Sequence, residues 1–240
     1  MARTRTLAQL RTDALRKADF QNVDTYVDIG LTGEVTDYVN ESIAALWDIL
    51  IASGGHEWYI SSDDVTTDID SPVIGLPTDF YILKGIDLVE GDVIRSLTPF
   101  MWGERDKYTR GLVVAEGGRP AQYRVGGVVS GATGVYTPVV TILPTPQSAY
   151  TLRVWYIPHA PVLNADTDVW DGFNGWEEYV TTDVALKLLE KEQNPISEAL
   201  AVRKAGIEER IRGLSMEHDR GGSESILVTD DFLEDLEHLR

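Results

Sequence analysis

Apolar residues in this chain change their spacing twice, and that change restricts the folds open to it. Over residues 34–52, Val35, Tyr38, Val39, Ile43, Leu46, Trp47 and Leu50 recur every three or four positions, which is one face of an α-helix. Glu34 and Asp37 favour its N-terminus and Gly54-Gly55 terminates it, giving a rod roughly 30 Å long. A shorter stripe, Leu7, Leu10, Ala14 and Leu15, predicts an earlier helix over residues 6–18 with Thr4 or Thr6 as its cap. Between residues 58 and 158 the helical repeat is lost, save for a candidate segment at 99–108. Short alternating or apolar runs replace it at 57–65, 81–89, 121–125, 135–143 and 150–157, punctuated by Gly, Pro, Asp and Ser. Helical spacing returns after Gly172. Trp176, Tyr179, Val180, Val184, Leu188 and Leu189 mark one helix, and Ile196, Leu200, Val202, Ala205, Ile207, Ile211 and Leu214 mark another, with Pro195 suited to its first turn.

The expected class is therefore α+β: a helical bundle from N- and C-terminal helices, with an inserted β-rich block and an extended C-terminal tail. The divisions fall at 1–55, 56–160, 161–214 and 215–240. A helix as long as the second must bury its stripe, and the other long stripes lie at the far end of the chain. The tail begins Asp219-Arg-Gly-Gly-Ser-Glu-Ser225 and continues into a short amphipathic segment with Phe232, Leu233, Leu236 and Leu239 on one side. Such a helix is too short to be stable alone, so it should order against a partner surface.

Composition removes several functions. At 240 residues, 43% of them apolar, the chain can bury a core without staples, and with no cysteine it has no disulfides, thiolate zinc sites or cysteine nucleophiles. That suits a reducing cytosol or a structure that needs no redox chemistry. Acids outnumber bases 39 to 21, for a net charge of −18, which disfavours a free-standing nucleic-acid binder. The charge is uneven: residues 1–18 carry +4, residues 19–100 carry −14 and residues 215–240 carry −6. Ends of opposite sign suit head-to-tail association between copies; the plainer reading is solubility. The start, Met1-Ala-Arg-Thr-Arg-Thr6, has no apolar export core. The longest uncharged stretch, 125–152, is interrupted by Gly126, Gly127, Gly131, Gly134, Pro138, Pro144 and Pro146, so it reads as strands and turns rather than a membrane helix.

Candidate sites are sparse. Acids cluster at Asp63, Asp64, Asp68 and Asp70, and at Asp166, Asp168 and Asp171. Read as an EF-hand loop from Asn164, the second cluster puts Val169 where Gly is needed and Gly175 where Glu is needed, so turn acids and helix capping by Asp171 explain it better. His56, His159, His218 and His238 form no zinc-type pair, and no Gly-x-Ser-x-Gly elbow occurs, so neither metal, cofactor nor catalysis is expected. Gly126-Gly-Val-Val-Ser-Gly131 lacks a nucleotide-binding fingerprint and reads as hairpin turns. Asn40-Glu-Ser42 matches a glycosylation sequon by coincidence, inside a helix. The tryptophans are mostly core anchors, while Trp170 and Trp176, bracketing the acidic turn, equally suit a groove between subunits.

Several short patterns follow one another in a fixed order. They are Thr6-Leu-Ala-Gln-Leu-Arg11, Tyr38-Val-Asn-Glu-Ser-Ile43, Gly75-Leu-Pro-Thr-Asp-Phe80, Pro120-Ala-Gln-Tyr-Arg124, Val140-Thr-Ile-Leu-Pro-Thr-Pro146, Leu152-Arg-Val-Trp-Tyr-Ile-Pro158 and Trp176-Glu-Glu-Tyr-Val180. Over residues 5–212 this set resembles the head–tail adaptor (connector) proteins of tailed bacteriophages. The resemblance implies a structural, non-enzymatic virion component assembled in the host cytoplasm. It implies a homo-oligomeric ring, usually of twelve copies, between the portal protein and the next tail component, with DNA passing through during ejection and no membrane involved. On that footing, Phe232, Leu233, Leu236 and Leu239 would dock on the portal or a neighbouring subunit, against the alternative that they fold back on their own helices. The rival functions are a calcium- or carbohydrate-binding β module, motivated by the Asp clusters and aromatics of the middle block, and a hydrolase with a dispersed triad.

Overall fold

The computed structural model describes residues 4–19, 32–53, 59–104, 118–129, 136–194 and 197–215. After a two-residue strand β1 (Arg5–Thr6), Thr6 caps helix α1 (Leu7–Lys17). Its hydroxyl accepts the Gln9 N–H at 3.2 Å while the Gln9 side-chain oxygen accepts the Thr6 N–H at 3.1 Å, so two end donors are satisfied reciprocally. Helix α2 (Thr32–Ala52) buries Val35, Val39, Ile43, Leu46, Trp47 and Leu50, the stripe expected from their spacing.

The middle of the chain is β-rich. Strands β2 (Ser61–Thr66), β3 (Val73–Gly75), β4 (Phe80–Glu90), β5 (Val93–Ser96) and β6 (Thr98–Pro99) come first. A 3-10 turn at Trp102–Glu104 is the helical structure described within the 99–108 segment. Strands β7 (Gln122–Val129), β8 (Tyr136–Leu143) and β9 (Thr151–Pro158) follow. One antiparallel sheet has the order β2-β9-β4-β5, and a second has the order β3-β8-β7-β6, in which β6 joins parallel to β7. Gly126 and Gly127 are not turn residues. They lie inside β7, opposite Val139 and Pro138, so the hairpin reading of these two glycines is corrected.

A short strand β10 (Val169–Trp170) pairs with β1, placing the start of the chain beside the second helical region. There Asp171 caps a four-residue helix α3 (Gly172–Gly175), accepting the Phe173 N–H at 2.9 Å. Helices α4 (Glu177–Lys191) and α5 (Ser197–Ser215) complete the described elements. Trp176 stands just outside α4 as its N-cap. On α5 only part of the expected stripe turns inward: Ile207 and Ile211 are buried, whereas Val202 is 75% exposed and Leu214 is exposed.

The class is mixed α+β, with two apolar cores. In the first, Leu7, Leu10 and Ala14 of α1 meet Val39, Ile43 and Leu46 of α2, Val180, Val184 and Leu188 of α4, and Ile207 and Ile211 of α5. The second lies between the two four-stranded sheets. It joins Ile86, Leu88 and Leu152 of one sheet to Ile74, Val140 and Ile142 of the other. Strands β4 and β9 belong to both: their Ile82 and Ile157 reach the helical core, while Ile86, Leu88 and Leu152 fill the sheet core.

Deleting side-chain bulk should separate inward from outward positions. Ile43→Ala is expected to cost about 2–5 kcal/mol in urea unfolding, and Val202→Ala less than about 0.5 kcal/mol. Equal losses at both sites would contradict this assignment of helix faces.

Candidate interaction site

Helix α5 offers little apolar surface to the rest of the described chain, and charge holds it in place. Asp183, on α4, is 3% exposed. Its Oδ2 accepts the Ser42 hydroxyl of α2 at 2.5 Å, and its Oδ1 lies 2.7 Å from Lys204 Nζ of α5. Lys187 Nζ approaches the same carboxylate at 3.3 Å and donates to Glu41 Oε2 at 3.0 Å. Burial is the largest influence on Asp183 and opposes ionisation. The bonds from Lys204 and Ser42, with the charges of Lys187 and Lys204, outweigh it and hold the carboxyl below its usual value. Lys204 also sits 5.6 Å over the ring of Tyr179, whose hydroxyl burial pushes up strongly, helped by Asp183 and Glu208. Outside this pin, Glu178 receives Arg203 at 2.6 Å and Arg210 at 3.7 Å.

At the other side of α4, Lys17 ends α1 with its ammonium donating to Thr181 Oγ1 at 2.7 Å, Thr182 Oγ1 at 3.0 Å and the Glu178 carbonyl at 3.4 Å. Burial lowers its pKa, partly offset by Glu178. One helix therefore receives α1, α2 and α5 through buried polar contacts as well as apolar ones.

Several of the clustered acids are engaged within the chain. Asp166 pairs with Arg11, which also donates to Thr36 Oγ1 at 3.0 Å. Asp168 accepts the Asn164 and Ala165 N–H groups at 2.8 and 2.9 Å, and these bonds, that of Ala165 foremost, hold its carboxyl below the usual range. Asp64 receives Arg153 in a two-pronged bond at 2.8 and 2.9 Å. Among the described residues no group of three or more His, Cys, Asp or Glu is placed to hold a metal ion.

Trp170 is buried in the helical core, edge-on to Phe173 at 5.2 Å, with Phe173 stacked on Trp47 at 4.5 Å. Its indole N–H finds no acceptor among the described residues. Trp176 is half-buried beneath Arg210, 5.2 Å from its ring. The structure thus brings both tryptophans to the α3 turn but gives each a neighbour from its own chain. Phe232, Leu233, Leu236 and Leu239 lie outside the described residues, as do His56, His218 and His238. One feature was not anticipated from sequence: an open groove of about 350 Å³ on the second sheet, lined by Trp102, Arg124, Val125, Gly126, Gly127 and Thr141. Two adjacent glycines in β7 signalled it, since a strand without side chains leaves a trough.

The model of the SU10 adaptor protein family matches residues 5–225, and the chain belongs to that family of structural phage adaptors. No curated protein matches it. As an adaptor it is a virion component that associates with other phage head or tail proteins. No helix among the described residues is long and apolar enough to cross a membrane.

Asp183→Asn should lower stability by about 2 kcal/mol at pH 7, as the buried pin loses its charge. A carboxyl with a depressed native pKa contributes stability above its unfolded value, and that contribution is lost as pH falls through the native one. The difference between native chain and variant in urea unfolding should therefore shrink below about pH 4. A difference that stays constant into acid would show that the ionised carboxylate is not what holds α5.

Proposed function

We propose that this chain is the head–tail adaptor of a tailed bacteriophage. Copies form a dodecameric ring seated between the portal and the tail, and DNA passes through the ring without being bound. The observation that carries this reading is the family match over residues 5–225. In this reading residues 1–55 and 161–214 act as one helical bundle, the rigid wedge of a ring subunit. Residues 56–160 are a β insertion reaching toward adjoining components, and residues 215–240 are a detachable arm. The shared core of α1, α2, α4 and α5 supports the wedge, because stripes from both ends of the chain are buried together.

Charge supports the conduit. A channel that must let DNA slide cannot offer many phosphate contacts, and a subunit with 39 acids and 21 bases offers few. The engaged Asp side chains fit a structural part better than a calcium module, because their oxygens already accept from Arg11, Arg153 and backbone N–H groups. Trp176, at the rim of the α3 turn, is the tryptophan better disposed to meet a neighbouring subunit, while Trp170 would stiffen the turn from beneath.

The arm is proposed to dock Phe232, Leu233, Leu236 and Leu239 into a groove on the portal or on a neighbouring copy. Removing residues 226–240 should leave a subunit with unchanged circular dichroism and unfolding midpoint that no longer co-sediments with portal particles. Portal attachment at native strength without those residues would refute the docking arm. Full-length chain that adds no ring to portals in negative-stain images would refute the adaptor reading itself.

A further inference from the structure

Among the described residues the sheet β2-β9-β4-β5 has two unpaired edges, and they match each other. All four residues of β5 are exposed, Val93 at 49% and Ile94 at 55%, and five of the six residues of β2 are exposed. Exposed apolar residues on an unpaired edge are a liability that a soluble chain usually blunts with charge. Here the charges on the two edges differ in sign. β5 carries Arg95; β2 carries Asp63 and Asp64. Arg95 and Asp63 form no ion pair with a described residue, whereas Asp64 is already held by Arg153.

We infer that β5 of one copy pairs antiparallel with β2 of the next, so that this sheet runs on from subunit to subunit. Strand direction permits it: every pairing in the sheet is antiparallel, so β2 and β5 run oppositely and a neighbour's β2 laid on β5 continues the alternation. The pleat permits it as well. Val65, Leu152, Leu88 and Arg95 form one row across the sheet, on the side of the sheet core, and Asp63 and Val93 share that side two positions along. Asp64, Arg153, Asp87 and Ser96 form a row on the opposite side. Setting Arg95 opposite Asp63 of the next copy then places Val93 opposite Val65 and Ser96 opposite Ser62, with each side chain on its proper face. Opposite charges facing across strands stabilise a pair and like charges destabilise it. An edge pairing with its own kind would bring Arg95 near Arg95, or the two aspartates near two more. Charge thus selects β5 on β2, a head-to-tail contact, the type that closes into rings or runs on as filaments.

The inference deepens the adaptor reading and rests on its premise that copies associate. The chain has no cysteine, so introduced ones report cleanly. Within one subunit positions 63 and 95 stand three strand spacings apart, about 14 Å, beyond the roughly 7 Å that a disulfide can bridge. Arg95→Cys protein mixed with Asp63→Cys protein under assembling conditions should yield disulfide-linked dimers. The chain bearing both substitutions should yield a ladder of multiples. In a parallel series, Arg95→Asp should weaken self-association on the order of tenfold, and adding Asp63→Arg to it should restore assembly, circular dichroism confirming that each variant is folded. Rings that form without cross-links and ignore Arg95→Asp would overturn the edge pairing while leaving the adaptor reading intact. A chain that stays single at all concentrations, and on portals, would overturn both.

Discussion

The carboxylate of Asp183 sits where three helices meet, and the helical layer is arranged around keeping it charged. Withdrawing a carboxylate from water costs several kcal/mol unless bonds replace the lost hydration. Ser42 supplies one from α2 and Lys204 a charged one from α5, while Lys187 adds a further charge from α4 itself. Because the partners come from different helices, satisfying the group fixes their mutual register. Apolar surfaces alone tolerate sliding by a fraction of a turn; a hydrogen bond of 2.5 Å does not. This matters most for α5, whose inward face has only Ile207, Ile211 and the half-buried Leu200.

Strands β4 and β9 solve a different problem. A helical layer and a pair of sheets could each fold around a separate core and hinge freely. Here the long antiparallel pairing of β4 with β9, interrupted by irregularities near Leu83 and Gly85, carries one end into the helical core and the other into the sheet core. The hydrogen bond from Trp47 of α2 to the Pro158 carbonyl at the end of β9, at 3.0 Å, ties the same junction. The β block is thereby held to the helices by backbone continuity and by burial.

Periodicity exposed the main elements because each buries one face: the α2 stripe, the five longer runs of the β block and the Tyr179–Leu189 stripe emerge close to where their spacing puts them. What spacing could not show is which neighbours a segment has. Val202 fits the α5 repeat yet faces solvent, because no described residue packs on that side of the helix. Asp183 reads locally as a charge on a solvated helix face, and only the long-range approach of Ser42 and Lys204 makes it a buried pin. Very short strands such as β1, β3, β6 and β10 carry too few residues for alternation to register. The place of β5 and β2 at sheet edges is a property of topology, absent from any local window.

Net charge sets a constraint on how such subunits can associate. At −18, two copies repel at distances up to the screening length, about 8 Å in physiological salt. Attraction must therefore come from groups in contact, and acids already spent on internal partners, such as Asp64, Asp166 and Asp183, add nothing there. An interface built from backbone hydrogen bonds escapes this difficulty, since strand pairing needs no net charge of either sign and its register can be selected by one cation facing one anion. Repulsion over the remaining surface then disfavours unregistered contacts. A strongly acidic chain is in this way compatible with ordered self-association: its charge disfavours the many weak ways of sticking and would leave those few where strand edges and opposite charges coincide.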